Sequence, residues 1–162
     1  LFGYYLLGLL TVTGIGYTST ITFRPNISWT PFVGMITGPI DTMLNIILFV
    51  SLGFFLPLLY KNYHHIKTVA LTGFLFSLAV EIVQMFGWGS SDINDLMTNT
   101  VGACLGYILY CLLSKIMPTN LKKQLLSKRV NGIFEVLLFA VCTFAVMVTV
   151  QPWFVHSVLN IP

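Results

Sequence analysis

The chain has 162 residues, of which 56% are hydrophobic and only 8% are charged, and its formal net charge is +3. Its mean hydropathy is +0.87, whereas charged residues make up about a quarter of an ordinary soluble domain. This composition excludes a soluble enzyme and indicates an integral membrane protein. The basic residues form no stripe interleaved with aromatics, so nucleic acid is not an expected partner.

Five apolar segments are long enough to be predicted as membrane-spanning helices. They cover roughly residues 1–17, 42–60, 66–86, 96–113 and 133–150. No small-residue cleavage site follows the first segment, which is therefore expected to be a retained helix. We predict an all-α, polytopic transmembrane helix bundle with about five spanning helices, forming a single domain over residues 1–162.

The distribution of positive charge predicts the orientation of this bundle. Seven of the eight Lys and Arg residues fall in the two connections 61–67 and 115–129. Short loops rich in Lys and Arg remain in the cytoplasm. The N-terminus is therefore predicted to lie inside and the C-terminus outside.

Carboxylates and amides share helix faces at one predicted membrane depth, at the start of the second span, the end of the third and the start of the fourth. Ionisable residues are costly near lipid and are functional candidates by default. Arg24 is the one cation outside the two basic connections and is the expected counter-ion of the acids. The candidate polar cluster consists of Arg24, Asp41, Asn45, Glu81, Gln84, Asp92, Asp95 and Asn99.

A structural role for these residues is the alternative. Ser91 or Asp92 is suited to cap the helix that follows, and buried polar contacts hold membrane helices together. For Asp92 alone, capping and function are about equally supported. The whole cluster contains more acids and amides than capping needs, which favours a site.

Gly102 and Gly106 are predicted to be packing residues. They lie four residues apart on one helix face, and small residues at this spacing allow another helix to approach closely. The sequence leaves open whether that helix belongs to the same chain or to a second copy, and the same chain is favoured.

No metal or cofactor is expected. His64 and His65 are adjacent, but neither Cys nor a carboxylate near them completes a metal shell. The three cysteines lie within apolar runs, where a thiol behaves as a small hydrophobic group. The sequence therefore predicts no metal centre and no disulfide framework.

Several short motifs follow one another in a fixed order between residues 24 and 110. They occupy segments 24–32, 45–53, 81–84 and 92–107, with Pro57 between the second and the third. In this order they resemble the VanZ-like family of bacterial membrane proteins. Two positions depart from the pattern: Ser51 stands where the family usually has Pro, and segment 87–90 lacks the Arg that many members place before the Asp pair.

The resemblance implies a multi-pass protein of the bacterial cell membrane that contributes to low-level resistance to teicoplanin-type lipoglycopeptides. It does not imply a reaction. The first hypothesis is a non-enzymatic resistance factor whose outer polar site binds a membrane lipid, a lipid-linked amphiphile or a partner. An intramembrane enzyme acting on a lipid-linked envelope substrate ranks second, because the chain lacks a Ser-His-Asp set and a His-rich shell. A small transporter ranks third, and the oligomeric state is left open.

Overall fold

A computed structural model of the chain describes residues 2–12, 23, 27–30, 32, 38–86, 91–126 and 132–158. Most of these residues are helical, which confirms the prediction of a mostly helical chain. The helices are α1 (Phe2–Val12), α2 (Pro39–Leu59), α3 (Ile66–Gln84), α4 (Ile93–Ile116), α5 (Thr119–Leu125) and α6 (Gly132–Val158). A 3₁₀ turn covers Lys61–Tyr63, and the two-residue strands β1 (Ile27–Ser28) and β2 (Ser91–Asp92) pair with each other.

Three helices within the described residues are long and apolar enough to cross a membrane. These segments are Thr42–Leu59, Ile66–Gln84 and Ile93–Ile116. They agree with the membrane class expected from the composition, while the count of five spans stays a prediction. Helix α4 begins at Ile93, directly after Asp92, which caps it; Asp92 is one of the two capping residues that the sequence predicted.

The described residues fall into two compact units. The first lies within residues 1–28, 79–91 and 134–162, and the second within residues 29–78 and 92–133. In the first unit, Phe2, Leu6 and Leu9 are buried among the described side chains of α1. The ring of Phe2 meets Phe139 of α6 edge to face, with centroids 6.2 Å apart. This spacing and angle are typical of favourable aromatic pairs.

The second unit is built on close packing of α2 against α4. A Cβ atom on Gly106 would overlap with the carbonyl oxygen of Val50, and one on Gly53 would overlap with the carbonyl oxygen of Ala103. A Cβ atom on Gly102 would come within 2.7 Å of the carbonyl oxygen of Ile46. The structure therefore places Gly102 and Gly106 against a helix of the same chain, which is the close approach that small residues permit.

Helix α4 also contacts the part of α3 that belongs to the second unit. Ala103 is fully buried, and its Cβ atom would lie 2.6 Å from a Cβ atom on Gly73. Ala103 thus meets Gly53 of α2 on one side and Gly73 of α3 on the other. This contact fixes the register of α3 and α4, in which positions 73 and 103 lie side by side.

The connection after α2 is closed by polar and aromatic contacts. The Nε2 atom of His64 donates to the carbonyl of Pro57 at 2.9 Å, and Tyr107 donates its hydroxyl to the main-chain carbonyl of His64 at 2.8 Å.

Tyr63 is buried in this connection. Burial raises the pKa of the Tyr63 phenol above its ordinary value, against the opposing effect of a hydrogen bond with Thr72. Tyr63 therefore stays neutral at physiological pH.

Candidate functional site

Helix α4 begins with an acidic cap. Asp92 is the N-cap residue, and its Oδ1 atom accepts a hydrogen bond from the main-chain nitrogen of Asn94 at 2.9 Å. Asp95 lies in the first turn, where a negative charge is favoured by the helix dipole. The capping alternative for Asp92 is therefore what the structure shows, and Ser91 does not cap the helix.

One turn further along α4, a buried polar contact joins α4 to α3. Asn99 donates from Nδ2 to the hydroxyl of Ser77 at 2.9 Å, and Ser77 lies 3.5 Å from the main-chain carbonyl of Asp95, to which it donates. Asn99 is 3% exposed and Ser77 is fully buried. The Oδ1 atom of Asn99 is buried and accepts no hydrogen bond from the part of the chain that the structure describes.

Glu81 and Gln84 lie further along α3, in the first unit. Glu81 is 6% exposed, and its main-chain carbonyl accepts a hydrogen bond from the Ser91 hydroxyl at 2.7 Å. Burial of a carboxylate in a chain this apolar is costly unless the group is neutralised or well partnered. Glu81 therefore remains a candidate functional residue on grounds of burial as well as charge.

The remaining members of the candidate cluster are placed less completely. Asn45 is half-buried in α2. The main chain of Asp41 is helical in α2, while its side chain and the whole of Arg24 lie outside the described residues. Because the members of the cluster are divided between the two compact units, convergence of the whole cluster stays a prediction.

Comparison with known proteins assigns the chain to a family. The VanZ/LLP1 family model matches residues 2–114. The chain belongs to the VanZ/LLP1 family. The resemblance expected from the ordered motifs is thereby confirmed, and the match extends closer to the N-terminus than those motifs do.

This VanZ/LLP1 chain is also similar to a curated protein. It is 38% identical over 100 residues to Protein VanZ of Enterococcus faecium, and the match covers 60% of this chain. The chain thus spans about 59% of the length of that relative. No solved structure matches the chain.

Ser51, one of the two departures from the family pattern, has a local structural explanation. Its hydroxyl donates to the carbonyl of Ile47 one turn earlier, at 3.2 Å. A Ser hydroxyl in a membrane helix commonly bonds back to the preceding turn in this way. The polar group at position 51 is therefore satisfied within α2 of this VanZ/LLP1 chain. The second departure, segment 87–90, lies outside the described residues.

Sequence reasoning missed two polar residues that the structure places at this end of α4. Ser77 is the acceptor for Asn99, and Asn94 is buried with its amide bonded to residues near position 30. Ser77 precedes Glu81 by four residues, so the helical spacing was a signal that could have identified it. The contacts of Asn94 with Thr30 and Phe32 have no such signal, because those two residues lie more than sixty positions away in the chain.

No group of three or more His, Cys, Asp or Glu side chains that could hold a metal ion occurs within the described ranges. His64, considered in the sequence as half of a metal pair, instead contacts Tyr110. Their rings stack with centroids 5.9 Å apart, and the Tyr110 hydroxyl lies 3.3 Å from the Nε2 atom of His64. In this VanZ/LLP1 chain His64 therefore has a structural role at the end of α2.

Proposed function

We propose that this chain is a multi-pass protein of the bacterial cell membrane that lowers susceptibility to teicoplanin-type lipoglycopeptides. We propose further that it acts through a polar site at Asp95 and Asn99, which binds the polar part of a membrane lipid or lipid-linked amphiphile, and that Glu81 is a second functional carboxylate. Membership of the VanZ/LLP1 family, similarity to Protein VanZ and the three membrane-length helices support the proposal. No step of it requires a chemical reaction.

The observation that carries the proposal is the amide of Asn99. Its Oδ1 atom is buried and has no hydrogen-bond partner among the described residues, and leaving such an acceptor unpaired costs about 1–3 kcal/mol. A residue whose role was only to join α3 to α4 needs no second polar atom. A ligand that donated an N–H or O–H hydrogen bond to this oxygen would recover the lost free energy. Binding of such a ligand would therefore explain why an Asn is found at position 99.

Helix periodicity supports functional roles for both Glu81 and Asp95. Positions 73, 77 and 81 recur every four residues along α3, and positions 103, 99 and 95 recur in the same way along α4. Residues four apart lie on one face of a helix. The first positions, Gly73 and Ala103, pack against each other, and the second positions, Ser77 and Asn99, share a hydrogen bond. The third positions are the two carboxylates, Glu81 and Asp95.

The test is a pair of isosteric substitutions, Glu81→Gln and Asp95→Asn, in the chain expressed in a teicoplanin-susceptible bacterium. Each removes a charge but keeps the size of the side chain and much of its hydrogen bonding. We expect each variant to lose the protection given by the parent chain, while its amount in the membrane stays close to that of the parent. Drug susceptibility is measured beside quantified membrane protein.

Glu135→Gln is the matched control, because it makes the same chemical change near the start of α6. We expect this variant to protect as well as the parent. If Glu81→Gln and Asp95→Asn also protect fully, the polar cluster is structural and the proposal is wrong. Protection that falls only in proportion to the amount of protein would likewise indicate a structural role.

A further inference from the structure

A short turn before α2 is fastened to the start of α4 by one side chain. The buried Asn94 donates from Nδ2 to the main-chain carbonyl of Thr30 at 3.1 Å, and its Oδ1 atom accepts from the main-chain nitrogen of Phe32 at 2.6 Å. Nδ2 also donates to Oδ1 of Asp92 at 2.7 Å. A carboxamide carries both a donor and an acceptor, so one Asn94 side chain bonds the turn at two points.

The backbone of the turn adopts a conformation that its sequence does not favour. Phe32 has φ 69°, in the left-handed region that bulky residues rarely enter. Such a conformation persists only where surrounding contacts impose it. The hydrogen bond from the Phe32 nitrogen to Asn94 is a contact of this kind.

The turn directs its main chain towards α4 and leaves its large rings exposed. Trp29 is 70% exposed and Phe32 is 57% exposed. In the same unit, the first turns of α2 carry a run of exposed apolar side chains, which are Ile40, Met43, Leu44 and Ile47. Because α2 is a candidate membrane span, these side chains are suited to face lipid, and the exposed rings lie just before them in the chain.

We propose that Trp29 and Phe32 form a membrane anchor at the headgroup boundary of the bilayer, and that Asn94 is the positioning residue that holds this anchor against the start of α4. Trp is enriched at membrane–water boundaries, where its ring contacts lipid and its N–H remains hydrated. The occupant of this surface is the bilayer itself. The anchor therefore does not depend on the polar site or on drug resistance.

The test uses Trp29 as its own probe in the full chain. Replacing Trp88 and Trp153 by Phe leaves Trp29 as the only Trp, and the protein is reconstituted in phosphatidylcholine vesicles. Lipids brominated near the headgroup end of their acyl chains should quench Trp29 more than lipids brominated near the chain ends. The emission maximum should be shifted to the blue of that of Trp in water, and aqueous iodide should quench weakly.

Two substitutions test the role of Asn94 in this single-Trp protein. Asn94→Ala removes both contacts with the turn, and Asn94→Asp keeps the size of the side chain but removes the donor to Thr30. We expect both variants to lose quenching by brominated lipid and to gain quenching by iodide. Asn62→Ala, at an exposed position in the 3₁₀ turn, is the matched control and should behave like the parent.

Each part of the proposal has an outcome that overturns it. If Trp29 of the parent is quenched by iodide and not by lipids brominated near the headgroup end of their acyl chains, the rings do not lie in the bilayer. If both Asn94 variants are quenched by lipid as strongly as the parent, Asn94 does not position the turn. Should Asn94→Ala fail to reconstitute, Asn94→Asp decides the second part, while the parent protein still decides the first.

Discussion

Two side chains of α4 show how one polar cluster serves different purposes. Asp92 is explained by local structure, because its carboxylate satisfies a main-chain nitrogen at the start of the helix. Asn99 is explained only in part, because its donor bonds Ser77 while its acceptor bonds none of the residues that the structure describes. The sequence offered capping as one of two equally supported roles for Asp92, because residue type and position before an apolar helix are enough to suggest a cap. The role of Asn99 depends on how α3 packs against α4. Residue type and spacing in the sequence do not specify that packing.

The role of Asn99 is tested by replacing it with an apolar side chain of the same branching. Asn99→Leu removes the unpaired acceptor, and the Ser77 hydroxyl can still donate to the carbonyl of Asp95. We expect the thermal stability of the purified protein to change little, because the lost hydrogen bond and the removed unpaired acceptor are each worth roughly 1 kcal/mol. Protection against teicoplanin should be lost.

Ser77→Ala is the comparison for Asn99→Leu. This smaller change leaves the Nδ2 atom of Asn99 without the acceptor it has in the parent, at a cost of about 1–3 kcal/mol. Ser77→Ala should therefore lower the melting temperature more than Asn99→Leu does. The opposite order, with Asn99→Leu the less stable protein, would show that the amide is needed for the fold and contradict its role in binding.

At the scale of elements, glycines determine how the helices of the second unit pack. The sequence predicted that Gly102 and Gly106 permit close approach, since they lie four apart in an apolar helix. It could not identify the partner face on α2, where Gly53 stands alone in the middle of an apolar run. Gly53 is identified as a packing residue only when the position of the α4 backbone opposite it is known.

Helix packing in the second unit should be sensitive to a single methyl group. In Gly53→Ala and Gly106→Ala the new Cβ atom would overlap with a backbone carbonyl oxygen, which cannot move away as a flexible side chain would. Overpacking of this kind typically costs about 1–3 kcal/mol. We expect both variants to melt at lower temperature in detergent and to lose monodispersity in size-exclusion chromatography.

Gly8→Ala in α1 is the control for these substitutions. Apart from Gly8's own helix, no described residue has an atom within 4 Å of a Cβ built at this position, and Ala favours a helix over Gly by up to about 1 kcal/mol. Gly8→Ala should therefore be neutral or stabilising. Equal loss of stability in all three variants would mean that the close approach of α2 and α4 is not what limits stability.

At the scale of the whole molecule, composition predicted the class of protein more securely than it predicted the number of spans. Apolar segments of about 20 residues identify membrane helices because the thickness of the bilayer sets their length. Three described helices meet this length, while the described apolar part of α6, Gly132–Ala145, is shorter. The number of crossings thus depends on segments whose ends composition alone cannot fix.

The orientation of the chain is predicted from its charges and can be measured directly. Connections 61–67 and 115–129 should be cytoplasmic, while Asp92 and the residues after Gln151 should be outside, because short loops rich in Lys and Arg are retained in the cytoplasm. The measurement is labelling of single cysteines in intact cells, on a background in which Cys104, Cys111 and Cys142 are replaced by Ala.

The labels are placed at residues that belong to neither the proposed binding site nor the proposed anchor. Asn62→Cys and Asn120→Cys report on the two basic connections, and both positions are exposed; His156→Cys reports on the C-terminal segment. A membrane-impermeant maleimide should modify the cysteine at 156 in intact cells and should reach those at 62 and 120 only after the membrane is opened. Labelling at 62 and 120 from outside, with protection at 156, would invert the orientation. The acids of α4 would then face the cytoplasm, where an externally acting lipoglycopeptide does not meet them.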